Sequence, residues 1–103
     1  MHKHRQTKLT DIPRSVKEAV WERDGHKCVL CGKSYLAAPN AHFVARSHGG
    51  LGIEENILTL CLPCHCEYDN SDKRGYLKDR LRGYLKTKYQ NWDESKLYFK
   101  KGM

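Results

Sequence analysis

The chain has 103 residues, enough for one domain with a small core and too few for two. Hydrophobic residues make up 39% and charged residues 30%, a lean composition of the kind that a metal or disulfides hold together. Nineteen Lys+Arg against twelve Asp+Glu give a net charge of +7, which suits a polyanionic partner as well as plain solubility, and no run of about 18 apolar residues exists to span a membrane.

Residues 1–10, polar and basic, are expected to form a loose tail, with His2 and His4 at a frayed terminus. MHKHRQTKLTD lacks the apolar stretch of a signal peptide. The protein is therefore expected to be intracellular, with its five cysteines as thiols or thiolates. Asp11 and Pro13 start a helix carrying Val16, Ala19, Val20 and Arg23 at helical spacing, and Gly25 ends it. Trp21 is expected in the core.

HKCVLCGKS is a tight turn between two cysteines. NAHFVARSHGG reads as a short strand, Ala41 to Val44, entering a loop with Gly49, Gly50 and Gly52. ENILTLC is the expected partner strand. In LPCHCEYDN, Pro63 suits a first helical turn and Asn70 the end of that helix. From Lys73 to Lys88 there are seven basic residues and one acid. Tyr76, Leu77, Leu81, Tyr84 and Leu85 form an apolar stripe there, with Arg82 and Lys86 opposite. Trp92, Leu97, Tyr98 and Phe99 are available to fold back on the body. No internal repeat or low-complexity segment is present.

Cys28-Val-Leu-Cys31 and Cys61-Leu-Pro-Cys64 are two C-x-x-C knuckles. Each presents two thiolates on one side of the chain, half of a tetrahedral zinc site, and together they complete one. The 29 residues between the pairs exceed the usual ribbon spacing, so they should carry structure of their own. The competing readings are a redox C-x-x-C or buried cysteines, and duplication of the motif favours structural zinc. Cys66, two residues past Cys64, is expected to be a small residue at least half-buried and no fifth ligand.

A zinc ion closed by four sulfurs has no open position for water. Any chemistry would have to come from His42, Asn56, His65 and Asp69. His65 and Asp69 stand at i and i+4 on the expected helix and share a face. An imidazole and a carboxylate suit Mg²⁺, Mn²⁺, Ni²⁺ or Zn²⁺ with open positions, and His42 is then the candidate general base. Singly, each has a structural explanation: a packed histidine, a helix-surface pair, an asparagine that ties down the loop.

In combination, CVLCG…AHFVARSHGGLGIEENILTLCLPCH resembles the HNH endonuclease family, the ββα-metal or His-Me finger nucleases, over roughly residues 21–70. WERDGHKCVLCG is similar to the entry of HNH domains with two zinc knuckles, and the flanking segments are similar to members encoded by phages or prophages. The resemblance implies an α+β fold: a small ββα-metal, treble-clef-like domain with a structural four-cysteine zinc site, an N-terminal helix and a basic C-terminal helix. Residues 11–103 would be one nuclease domain, with 71–103 as a basic helical extension. It implies His42 as general base, Asn56 as the residue that fixes the loop or approaches the metal, and His65 with Asp69 on a catalytic divalent metal. DNA would be cut to 5′-phosphate and 3′-hydroxyl ends, with Arg46, Lys78, Arg82 and Lys86 on neighbouring phosphates. A monomer in the cytoplasm of a bacterial host, with DNA and phage packaging proteins as partners, completes the expectation.

One position departs from the family. Many members carry a metal-ligating Asp or His where Ala41 stands. Hence the alternative: a zinc-stabilised DNA-binding module without significant cleavage. A protein-interaction zinc finger of the RING or LIM kind needs more zinc ligands than this chain offers.

Overall fold

The computed structural model describes residues 5–99; residues 1–4, with His2 and His4, and residues 100–103 lie outside it. The order of elements is α1 (Arg5–Thr10), α2 (Arg14–Arg23), β1 (Ala37–His42), β2 (Ile57–Cys61), α3 (Leu62–Asn70) and α4 (Arg74–Lys88), with short 3-10 turns at Arg46–His48, Glu54–Asn56 and Glu94–Lys96. The fold is α+β, a two-stranded antiparallel sheet with helices packed around it. No helix among the described residues is long and apolar enough to cross a membrane.

The expected tail is corrected at its inner end. Arg5–Thr10 is helical, and Thr10 is buried. The segment is held because Leu9 O accepts a hydrogen bond from Gly52 N at 3.1 Å. The approach is so close that a Cβ on Gly52 would lie 1.9 Å from Asp11 O, and one on Gly50 would lie 1.8 Å from Val44 O. The glycine-rich loop is therefore a place where backbone crosses backbone, which only glycine permits.

β1 begins at Ala37, four residues before the expected start, and stops at His42. Ala37 pairs with Cys61 and Ala38 with Leu60, but the register shifts before Ala41 pairs with Leu58 and His42 with Ile57. Pro39 sits in the shift and has no N–H to donate. Thr59, opposite it, turns elsewhere: its N–H donates to Asp24 Oδ2 at 2.8 Å, and its carbonyl accepts from Val29 N at 3.0 Å. β2 is buried at all five positions, so both its faces are covered.

The core gathers Phe43, Val44, Leu58, Leu60, Tyr68, Leu77, Leu81, Leu85 and Leu97. Within α4 the stripe is Leu77, Leu81 and Leu85, while Tyr76 stands 66% exposed, off the buried face. Trp21 is only half-buried and stacks on His26 rather than joining this core. The C-terminal stretch does fold back: Trp92 meets Phe43 edge-on at 5.4 Å and donates Nε1–H to Glu55 O at 2.8 Å, and Tyr98 bridges to Gly50.

A buried polar hub replaces apolar packing between α2, β2 and α4. Arg23 grips Asp24 through Nε (2.7 Å) and Nη2 (3.0 Å). Tyr84 donates its hydroxyl to Asp24 Oδ1 at 2.6 Å. Arg23 also donates to Glu54 O and Ile57 O, at 2.8 and 2.7 Å. Burial opposes the guanidinium charge, but the bonds to Asp24 and Tyr89 outweigh it and hold Arg23 protonated.

Candidate functional site

The turn after α2 brings Cys28 and Cys31 to the end of β2, where Cys61 closes the strand and Cys64 sits in the first turn of α3. Their four sulfurs lie within 4.8 Å of one another, with Cys31 and Cys61 Sγ atoms 3.5 Å apart. Tetrahedral zinc with Zn–S bonds of about 2.3 Å places its sulfurs about 3.8 Å apart, so the cluster fits such an ion. Without a cation the thiols conflict. Burial raises all three of Cys28, Cys61 and Cys64, but N–H donors from Cys61, Cys31 and Leu30 outweigh it at Cys28 and hold that thiol down to about 7. Cys64 is driven up by burial and by its bonds to Cys61 and Cys28. A single divalent ion removes that conflict by letting all four ionise. Cys66 is exposed and outside the cluster, which corrects the expected burial: α3 carries it around to solvent.

The second region is a surface cleft of about 410 Å³ lined by His42, Arg46, His48, His65, Asp69 and Arg74, with Ala45 and Ser47 between them. His42 ends β1 and contacts Thr10 O through Nε2 at 2.9 Å. A carbonyl only accepts, so Nε2 carries the proton and Nδ1 keeps its lone pair. Burial lowers the His42 pKa; the bond to Thr10 and the Asp69 charge push it up, His65 pushes it down, and the balance stays below the ordinary 6.5. The ring is therefore neutral at pH 7, with a free basic nitrogen.

His65 and Asp69 meet across one turn of α3, Nε2 to Oδ2 at 3.2 Å. Two donors that converge at the mouth of a cleft fit one divalent ion with several positions left open. Ala41 adds none: its side chain is 1% exposed and faces the core. Asn56 is fully buried, with Oδ1 accepting from Val44 N at 2.8 Å and Nδ2 donating to Leu51 O at 2.8 Å and Val44 O at 3.3 Å. Of its two expected roles, this is the loop-fixing one; an amide so engaged does not approach a metal.

The expected phosphate contacts divide. Arg46 lines the cleft but is ion-paired with Asp11. Lys78 and Arg82 lie outside it, both over the Phe43 ring, with Arg82 bonded to Glu94 at 2.8 Å and to Asp79, and Lys78 at 3.7 Å from Glu94. Arg82 therefore does not stand free opposite the apolar stripe; the C-terminal stretch brings Glu94 onto it. Lys86 is exposed on α4. Arg74 and His48, which spacing along the chain did not single out, line the cleft. Neither had a signal in the spacing: Arg74 is the second cation after α3, behind Lys73.

No protein-family model matches the chain, and no solved structure matches it. Among curated proteins, anaredoxin from Nostoc sp. (strain PCC 7120 / SAG 25.82 / UTEX 2576) is 27% identical over 59 residues, covering 57% of this chain and 78% of that protein.

Proposed function

We propose that this protein is a metal-dependent endonuclease of the HNH type that hydrolyses DNA phosphodiester bonds. The observation that carries the reading is the convergence of His42, His65 and Asp69 on one cleft, with the base neutral and two metal donors paired beside it. His42, held by Thr10 O through Nε2–H, takes a proton from water at Nδ1. The water oxygen bonds to phosphorus as the bond to the 3′ oxygen in line with it breaks; the 3′ oxygen takes a proton from solvent and leaves as a hydroxyl, with the phosphate on the 5′ end. His65 and Asp69 would hold a divalent metal, which would supply charge stabilisation for the phosphate and the leaving group. Asn56 keeps the loop after His42 in place.

The test is plasmid relaxation by the parent and His42→Ala, each with Mg²⁺, Mn²⁺, Ni²⁺ or EDTA. Metal-dependent nicking by the parent alone supports the reading. Absence of nicking with every metal, while DNA is still bound, favours the DNA-binding module, the reading that Ala41 supports by offering no ligand. The similarity to anaredoxin bears on the other centre: the name is of the redoxin kind, and four thiolates also suit iron. Metal analysis of purified protein, with visible absorption for ferric thiolate, decides between zinc and iron.

A further inference from the structure

Arg74 and Arg80 are bonded to backbone carbonyls, Arg80 to Leu30 O, whereas four other arginines are bonded to or paired with a carboxylate. Arg23 is bonded to Asp24, Arg82 to Glu94 and Asp79, Arg14 to Glu18, and Arg46 is paired with Asp11. Each of those charges is matched by an adjacent carboxylate. Arg74 is instead oriented by neutral groups. Its Nη1 donates to Tyr68 O at 2.9 Å, and its guanidinium carbon lies 4.3 Å from the centre of the Tyr68 ring. Asp69 Oδ1 is 3.7 Å away, beyond hydrogen-bond reach, and Asp69 is already engaged by His65.

The platform beneath Arg74 is rigid. Tyr68 is fully buried, and its hydroxyl donates to Phe43 O at 2.7 Å, the carbonyl of the residue after His42. The guanidinium is thus held in a defined relation to the base, at the wall of the same cleft. Four of its five N–H groups remain for a ligand, in the planar fork that matches two oxygens of a phosphate. The bond to Tyr68 O fixes orientation, and the one carboxylate nearby, Asp69 at 3.7 Å, offsets the charge only in part.

We propose that Arg74 binds a non-bridging oxygen pair of a nucleic-acid phosphate lying in this cleft, next to the metal donors. The nucleic-acid part rests on the endonuclease reading above. With Ala41 leaving only two protein donors for the metal, the Arg74 guanidinium would add positive charge at the scissile phosphate, on the cleft that Arg46 also lines.

The experiment separates this contact from the cleavage reading. Binding of a fluorescein-labelled 20-base-pair duplex, chosen at roughly the length a small domain can cover, is followed by anisotropy from low to moderate salt, with no added divalent metal. The proteins are the parent, Arg74→Gln, Arg74→Lys and Lys27→Gln, the last removing an exposed charge outside the cleft. Arg74→Gln should flatten the plot of log K against log[salt] by about 0.9, the loss of one phosphate contact. Arg74→Lys should keep the slope but weaken binding, and nicking by either variant should fall at least tenfold. In the ¹⁵N-labelled parent, thymidine 3′,5′-bisphosphate should shift the Arg74 Nε–H signal, a readout that needs no variant to fold. A parental slope in Arg74→Gln, or an unmoved Arg74 signal, overturns the proposal even if the parent nicks DNA. A parent that binds DNA with an Arg74-dependent slope but never nicks overturns the nuclease reading alone. A parent that binds no DNA overturns both.

Discussion

Two unlike groups of side chains meet at α3. Cys61 and Cys64 at its start belong to a cluster of four sulfurs drawn together from both knuckles, with Cys28 and Cys61 buried. From the next residue on, His65 and Asp69 offer two donors at an open cleft, with side chains 29% and 48% exposed. Ligand number separates them: four sulfurs would close a metal off, whereas two donors at a cleft would leave positions open. Consecutive residues, Cys64 and His65, fall on opposite sides of that division because a helix turns each successive side chain to a new face.

The sharpest way to break the comparison is to remove ligands from each end in turn. Cys61→Ser, or a strong chelator, should unfold the domain, since a structural metal contributes on the order of 10 kcal/mol to a small fold. His65→Ala and Asp69→Ala should keep the parental circular dichroism spectrum while abolishing nicking. Equal unfolding by both kinds of variant would erase the distinction between the two ends.

A second anchor is free of metal. Asp24→Ala leaves Arg23 buried without its partner and strands the Thr59 N–H, so urea unfolding should show a loss of about 3–5 kcal/mol. A smaller loss would mean that the metal carries nearly all the stability. Asn56→Ala should cost about 2 kcal/mol by orphaning the Val44 N–H and the carbonyls it serves, and should slow nicking without changing metal content.

The pH response sharpens the contrast further. Because burial holds His42 below 6.5, the unfolded chain takes up a proton in a range where the folded one resists it. Stability should therefore fall as pH drops through 6.5 toward the folded value, and His42→Ala should remove that component. Nicking should persist at pH 6.5, because the base is still neutral there, and fail only at lower pH. The smallest effect lies on α4. Gly75 and Gly83 are interior to α4, and a Cβ added at either would meet nothing within 4 Å. Gly→Ala at either position should raise stability by up to about 1 kcal/mol, read as a higher melting temperature.

Local spacing made much of this legible. The two C-x-x-C knuckles, Pro63 in the first turn of α3, and the i,i+4 relation of His65 to Asp69 depend on neighbours a few residues away, and the structure has them as the spacing implies. The apolar stripe of α4 holds at Leu77, Leu81 and Leu85 for the same reason. Spacing misled where a distant segment intervened. Trp21 and Tyr76 have apolar bulk but no facing partner in the core, and the C-terminal stretch brings Glu94 into a hydrogen bond with Arg82 and to 3.7 Å from Lys78. The displaced β1 had a local cause in Pro39, but where Thr59 then turns is a matter of three dimensions.

By itself, the sequence determined the four-cysteine cluster and the helix that follows it, and offered the resemblance from which a role for His42 is proposed. Only the tertiary structure decided that Thr10 O orients His42, that Asn56 is enclosed rather than open, and that Arg74 shares the cleft. The reason is physical. A side chain's type and periodic position are written along the chain, whereas a backbone carbonyl or a guanidinium gains its role only from what folding brings within about 3 Å of it.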